Sequence, residues 1–176
     1  MVRNFAQCLA FTLEREGGFC NNVRDPGGAT NLGITRATLS RWIKRSASVE
    51  EVRALTVPVA SQIYHDWYWR PIAGDALPSG IDLMVFDMGV NSGDHESAVE
   101  LQEVLGIDEH DVDGDIGPYT LGFLDRRNDV EALIDELAKA QEARYRSLRG
   151  FPTFGNGWLH RLALRTQAAK ALLSSQ

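Results

Sequence analysis

The sequence has little cysteine: only Cys8 and Cys20 occur among its 176 residues. Two thiols make a poor disulfide framework, and this pair matches no metal-site spacing, so we expect synthesis in a reducing compartment. The four histidines share no spacing that is typical of a zinc site or of a nucleophilic triad. We therefore expect the protein to bind no metal and to work without any other cofactor.

Long apolar runs are absent as well. No run approaches the roughly 20 apolar residues that a membrane-spanning helix needs. The nearest candidate for a signal peptide is residues 5–13, with only Arg3 before it and no small-residue cleavage site before Glu14. This pattern predicts a protein made in the cytoplasm without a recognisable signal peptide and without stable membrane insertion.

Positive charge is scarce overall and unevenly distributed. The net charge of −6 argues against a nucleic-acid-binding protein. Residues 82–143 sum to about −14, whereas residues 144–176 sum to about +6. Two interpretations of this basic tail stay open. It neutralises the acidic middle of the chain, or it faces an anionic polymer.

Apolar residues recur with helical spacing over most of the chain, so we expect a mainly α fold. A first helix should end near Glu16, where two glycines follow. Ser48 and Glu51 form a capping-box signature that predicts the start of another helix. Further helices are predicted to begin after Ser79 and Asn128 as N-cap residues.

The C-terminal part should hold two long helices. Asn128 is predicted to begin the longest one, which ends near Leu148. The glycine-rich residues 150–157 are predicted to break the chain before a last helix over residues 158–173. Residues 19–35 are rich in turn formers instead, and residues 21–35 could hide a short hairpin. Long irregular segments of this kind are often functional.

Glu16, Asp25 and Thr30 are the candidate catalytic residues. Glycoside hydrolysis needs a proton donor and usually a second carboxylate. The C-terminal end of a helix favours the uncharged form of a carboxyl group, so we expect Glu16 to be the acid. Asp25 would orient a water as general base, and the Thr30 hydroxyl would be a second hydrogen-bonding partner of that water. On spacing alone, an ordinary surface glutamate and an ordinary turn are the better explanation.

The longer sequence segment that contains these three residues favours a catalytic site over this explanation. Glu16-Gly-Gly-Phe19, followed by DPGGATNLGIT over residues 25–35, resembles the opening signature of glycoside hydrolase family 108. This is the family of N-acetylmuramidase phage endolysins and related secretion-associated muramidases. The family usually carries Tyr where this chain has Phe19, and its catalytic glutamate corresponds to Glu16. The order of Glu16, Asp25 and Thr30 is also similar to the catalytic triplet of phage-type lysozymes, although Thr30 lies one residue earlier than in that triplet.

Two further segments match aromatic and polar stretches of the same family, residues 68–71 and residues 86–93. Sugar rings stack on aromatic faces, so Tyr68 or Trp69 would line a glycan groove. Asn91 would hydrogen-bond an acetamido group. The alternative for both aromatic residues is a place in the core, where such rings are often buried.

The second half resembles the peptidoglycan-binding module that commonly follows the catalytic part in this family. The likeness rests on a Leu-Gln pair at Leu101 and on residues 111–121. Alternating aspartates in the second segment also suggest a calcium loop. That reading fails because Ile116 and Gly122 occupy the positions of the required glycine and glutamate.

The resemblance implies a lysozyme-superfamily helical fold, with a catalytic half at residues 1–92 packed against a helical, peptidoglycan-binding-like half at residues 93–176. It implies hydrolysis of the bond between N-acetylmuramic acid and N-acetylglucosamine in bacterial peptidoglycan. An endolysin that passes from the bacterial cytoplasm to the cell wall through a holin is the favoured role. The main alternative is a non-catalytic wall-binding or secretion-helper protein whose lysozyme site has decayed. A cell-encoded muramidase serving a secretion system is a third possibility.

Overall fold

The computed structural model describes residues 4–21 and 28–174. Contacts divide the chain into two compact units. We call Leu9–Trp67 the β-containing unit, and Met1–Cys8 with Tyr68–Gln176 the helical unit. The first helix, α1 (Phe5–Glu16), contributes residues to both. The mainly α fold predicted from the sequence is confirmed.

The β-containing unit combines short helices with a small antiparallel sheet of strand order β1-β2-β3. After α1 its elements are β1 (Cys20–Asn21), β2 (Ala29–Asn31), β3 (Ile34–Thr35), α2 (Arg36–Trp42), α3 (Val49–Arg53) and α4 (Val57–Tyr64). The strands confirm the hairpin suggested for this region. The predicted capping box is also confirmed. Ser48 accepts from the backbone N–H of Glu51, whose carboxylate accepts from the Ser48 N–H.

The helical unit is built around one buried helix, α5 (Ile81–Ser92). Every residue from Ile81 to Gly89 is buried, as expected for a helix that is covered on all sides. It contacts the helices α6, α8 and α9. A turn of π-helix (His65–Trp69) and a 3-10 turn (Gly74–Ala76) follow α4. The remaining helices are α6 (Asp94–Val104), α7 (Pro118–Leu124), α8 (Val130–Ser147) and α9 (Phe151–Leu173).

Two predicted N-caps are wrong by one residue. The cap of α5 is Gly80 at φ +86°, not Ser79. The Ser79 hydroxyl instead accepts a hydrogen bond from Asn4, while Asp82 Oδ1 accepts from the backbone N–H groups of Gly80 and Leu83.

The cap of α8 is Asp129, whose carboxylate accepts from the backbone N–H of Ala132 at 2.9 Å, rather than Asn128. Both residues are of a type that caps helices well, so their order alone does not decide between them.

The predicted break at residues 150–157 is also wrong. Helix α9 already begins at Phe151 and, with 23 residues, is longer than the 18-residue α8. Pro152 lies in its first turn, where a proline costs no helical hydrogen bond. Gly155 is tolerated because the Phe151 ring covers it so closely that a Cβ there would lie 2.6 Å from the ring.

The predicted functional boundary at residues 92–93 falls between α5 and α6, both of which belong to the helical unit. Because it is a boundary of function, it stays a prediction. Among residues 4–21 and 28–174, no helix has the length and apolar character needed to cross a membrane.

Candidate active site

Glu16 is the last residue of α1, and its side chain is half-buried. Gly17 follows it in the left-handed region at φ +73°, which ends the helix as the glycine pair predicts. The carboxyl group therefore lies at the negative end of the helix dipole.

The tip of the β2–β3 hairpin lies against the Glu16 side chain. The strand register leaves Leu32 and Gly33 as a two-residue turn, and both have positive φ, as the tight I′ hairpin turn requires. A Cβ on Gly33 would lie 2.9 Å from Cγ and 3.1 Å from Oε2 of Glu16. Only a glycine leaves room for the carboxyl group at this distance.

Tyr64, at the end of α4, holds the same hairpin tip. Its buried ring brings the hydroxyl to the carbonyl oxygen of Leu32, to which it donates at 3.1 Å. The hydroxyl also lies against Gly33, where a Cβ would collide with it. Sequence reasoning missed Tyr64, because helical spacing predicts it only as an apolar core residue.

Thr30 is the middle residue of β2, paired with Cys20 on one side and Thr35 on the other. Its neighbours Ala29 and Asn31 are buried, and the Asn31 amide donates to the backbone carbonyls of Val52 and Arg53, each at 3.1 Å. Side chains alternate along a strand, so Thr30 lies on the face opposite to these two neighbours. The strand that carries Thr30 leads directly into the hairpin tip beside Glu16.

Asp25, the candidate general base, lies outside the described residues. Phe19, the aromatic residue of the family signature, has the Arg53 guanidinium 4.3 Å from its ring centre. This part of the β-containing unit therefore holds a cation stacked on an aromatic face as well as the carboxyl group of Glu16.

Trp69 belongs to the core of the helical unit. It is 1% exposed, its ring centre lies 5.3 Å from that of Phe5 and 5.5 Å from that of Phe86, and its indole N–H donates to Asp75 at 3.1 Å. Of the two interpretations of this residue, the burial favours the core. Tyr68 is half-buried, so of the two aromatic residues it remains the one proposed to contact substrate.

Asn91 lies exposed in the last turn of α5, where its amide N–H donates to the backbone carbonyl of Asp87 at 2.6 Å. It lines a cavity of about 180 Å³ in the helical unit, together with Ser92, Tyr145, Leu148, Trp158 and Arg161. Asn91 is therefore placed at a recess of the surface, as a residue that binds substrate should be.

The aspartate-rich segment before α7 is organised by one buried amide. Gln102 accepts from the backbone N–H groups of Asp113 and Gly114 and donates to Asp113 and Thr120. Its hydrogen bond to Asp113 holds the pKa of that carboxyl below the ordinary value. In the described chain, no group of three or more His, Cys, Asp or Glu side chains is placed to hold a metal ion.

Comparisons with known proteins found one matching family and similar solved structures. The sequence model of the family described as Glycosyl hydrolase 108 matches residues 9–93, which include Glu16 and the hairpin. The chain is similar to the solved structure of SagA from Brucella abortus, with 40% identity and a TM-score of 0.84 over 96% of this chain and 95% of that chain. A comparison with curated proteins found no match.

Proposed function

Because the chain belongs to the glycosyl hydrolase 108 family, we propose that it is a lysozyme that cleaves the bond between N-acetylmuramic acid and N-acetylglucosamine in bacterial peptidoglycan. The observation that carries the proposal is the position of Glu16. A helix end and a glycine hairpin tip hold its carboxyl group in the segment that the family signature covers. No other carboxyl group of that segment has both features within the described residues.

In the proposed reaction, Glu16 protonates the oxygen of the leaving sugar. General acid catalysis of this kind contributes about 10²–10⁴-fold to a rate. Hydrogen bonding of Tyr64 to the hairpin keeps Gly33 against Glu16, so Tyr64 acts as a positioning residue.

Asp25 is proposed as the general base that orients the attacking water, and the Thr30 hydroxyl is proposed as a second hydrogen-bonding partner of that water. If Asp25 acts through water, its carboxyl group should stand about 6.5–9.5 Å from that of Glu16, and the product should have inverted configuration. Retained configuration in early NMR spectra, or a covalent sugar trapped on Asp25, would rule out this role.

We propose an endolysin that is made in the bacterial cytoplasm, reaches the cell wall through a holin and lyses its host. Residues 93–176 are proposed to bind the wall, with Tyr68 and Asn91 as substrate contacts.

The test of the proposed acid is the variant Glu16→Gln. The amide keeps the shape of the side chain but cannot donate the proton, so we expect lysis of permeabilised cells to fall at least about 100-fold. The matched control is Glu14→Gln in the same helix turn, where an exposed carboxylate that pairs with Arg15 is removed. Lysis by Glu16→Gln within a few-fold of the parent, at equal folding, would show that Glu16 is not the acid.

A further inference from the structure

Helix α7 carries two aromatic side chains, Tyr119 and Phe123, which we call the aromatic stripe. They lie four residues apart, on one face of the helix, and their ring centres are 5.3 Å apart in an edge-to-face arrangement. The helix packs inward through another face, where Thr120 and Leu124 are buried. Tyr119 is 54% exposed and is one of the four large exposed hydrophobic residues in the described chain. The stripe is therefore an aromatic surface that faces solvent.

The fold holds the ring of Tyr119 in a defined orientation. Its hydroxyl donates to a carboxylate oxygen of Asp111 at 3.2 Å, and its ring packs against that of Phe123. The guanidinium of Arg126 lies 5.0 Å from the centre of the Phe123 ring. Aromatic side chains have few rotatable bonds, and these contacts fix them before any ligand arrives. Binding at the stripe therefore costs little conformational entropy.

The segment beneath the stripe is held by a buried hydrogen-bond network. The amide of Gln102 donates to the Thr120 hydroxyl and accepts from the backbone N–H of Gly114 at 2.8 Å. The Thr120 hydroxyl donates in turn to the backbone carbonyl of Asp115 at 3.1 Å. Connected polar networks of this kind hold their elements in place. Helix α7 and the aspartate-rich segment before it therefore form one support for the stripe.

Gly122 leaves open space on the same side of α7, three residues after Tyr119. An added Cβ there would meet nothing within 4 Å in the described chain, and its φ lies outside the left-handed region. A glycine within a helix is destabilising relative to alanine. Neither the backbone conformation nor the packing of the described residues requires this glycine. What it provides is room beside the Tyr119 ring, into which a ligand fits.

The charge around the stripe indicates the class of ligand. Residues 82–143 sum to about −14, and Asp111, Asp115 and Asp125 are all exposed. This surface repels anionic polymers and peptides that carry carboxylates. Its carboxylates accept hydrogen bonds, so they suit a neutral ligand rich in hydroxyl and amide donors. An N-acetylated sugar ring has those donors and also a C–H face that stacks on an aromatic ring.

We propose that the aromatic stripe of α7 binds the glycan strand of peptidoglycan, with a sugar ring stacked on Tyr119 beside Gly122. This assignment of ligand rests on the proposed function. The stripe belongs to the helical unit and to the part of the chain that is proposed to bind the wall. It gives that part a specific contact surface, which holds the glycan and takes no part in its cleavage.

The first test measures binding at the stripe itself. The tetramer of N-acetylglucosamine is titrated into the full chain carrying Glu16→Gln, while the ring resonances of Tyr119 are followed by NMR. We expect a saturable shift of these resonances. No saturable shift would overturn the proposal, and so would a shift caused by the free stem peptide instead of the sugar. A shift that follows protein concentration without sugar would also overturn it, because a second copy of the chain would then be the occupant.

The second test changes the ring of Tyr119, with binding followed at the ring resonances of Phe123. Tyr119→Ala removes the ring and should weaken binding of the tetramer about tenfold. Tyr119→Phe keeps the ring and should bind almost as well as the parent. Both variants should fold normally, because the side chain is exposed. Equal losses in the two variants would overturn stacking on the ring.

The third test separates binding from stability. Leucine favours a helix more than glycine does, so Gly122→Leu should raise the melting temperature while it fills the space beside Tyr119 and weakens tetramer binding about tenfold. Gly157→Leu is the matched control, because an added Cβ on this exposed glycine of α9 also meets nothing within 4 Å. It should raise the melting temperature and leave binding at the stripe unchanged. Parent-like binding by Gly122→Leu would overturn the proposal.

The failure of this proposal is distinguishable from the failure of the proposed function. Cleavage of peptidoglycan by the parent chain without a shift at Tyr119 would overturn the role of the stripe alone. A saturable shift at Tyr119 without cleavage of peptidoglycan would support the stripe and count against the proposed enzyme activity alone.

Discussion

Gly33 is the residue whose lack of a side chain sets the position of Glu16. Its φ of +73° and its contact with the Glu16 carboxyl group both require glycine. We expect Gly33→Ala to lower the free energy of unfolding by roughly 2–3 kcal/mol, from backbone strain plus overpacking. Displacement of Glu16 by the new Cβ should reduce kcat/KM by about 100-fold.

The variant Gly106→Ala is a control that has the backbone strain of Gly33→Ala without a close contact of the new Cβ. Gly106 has φ +74°, almost the same as Gly33, but an added Cβ would meet nothing within 4 Å. This variant should lose only about 1–2 kcal/mol, as measured by urea unfolding, and should keep its activity. If Gly33→Ala matched Gly106→Ala in both measurements, the hairpin tip would not position Glu16.

The residues of the site differ in how far the sequence predicts them. Glu16 lies in a motif whose residue order and glycines match a family signature, so it can be proposed as the acid from the sequence alone. Tyr64 acts through one hydroxyl that reaches a hairpin more than thirty residues away in the chain, and no local pattern records such a contact. Trp69 is the opposite case. Its sequence motif matches the family and suggests a contact with the sugar, but its ring is buried in the structure.

At the scale of elements, two glycines of α9 have opposite roles. The Phe151 ring lies over Gly155, whereas an added Cβ on Gly157 would meet nothing within 4 Å. Thermal unfolding should therefore show Gly155→Ala destabilised by about 1–3 kcal/mol through overpacking. Gly157→Ala should be stabilised by about 0.5–1 kcal/mol, because alanine loses less backbone entropy in a helix. The same sign for both variants would contradict this packing.

These glycines also explain why the sequence predicts a break where α9 is continuous. Helix propensity counts each glycine against a helix, but the packing of Phe151 on Gly155 overrides that preference. The capping box at Ser48 was predicted correctly, because all its partners lie within one helical turn. Elements fixed by local contacts are predictable, and those fixed by packing are not.

At the scale of the whole molecule, buried carboxyl groups determine how stability responds to pH. Burial raises the pKa of Glu100 from 4.5 to about 7 and that of Asp82 from 3.8 to about 6. The folded state then keeps protons that the unfolded state releases, so stability falls as pH rises from about 4.5 to about 7. We expect Glu100→Gln to flatten this fall and to raise the melting temperature at pH 8.

The control for this prediction is Glu103→Gln, which removes an exposed carboxylate from the same helix, α6. Its stability should keep the pH dependence of the parent between pH 4.5 and 7. If Glu100→Gln showed that same dependence, Glu100 would be ionised in the folded protein across this range, and the burial argument would fail.

Within the described residues, five basic side chains of the tail pair with carboxylates of the acidic middle, among them Arg144 with Glu96 and Arg146 with Glu142. Arg161 and Arg165 bind Asp87, and Lys170 pairs with Asp135 at 2.8 Å. These pairs favour the neutralising interpretation of the tail. Breaking a buried ion pair costs about 3–5 kcal/mol, so Arg165→Gln should lower the melting temperature strongly. The salt dependence of binding to intact sacculi should stay the same, whereas a smaller salt slope at unchanged stability would favour contact with the polymer.

Cleavage of the glycan is the central claim, and mass spectrometry of the fragments released from purified peptidoglycan tests it most directly. Hydrolysis at the proposed bond should release disaccharides with N-acetylmuramic acid at the reducing end, and Glu16→Gln should release almost none. Fragments with N-acetylglucosamine at the reducing end, anhydro-muramic ends, or free peptides without cut glycan would each contradict the account.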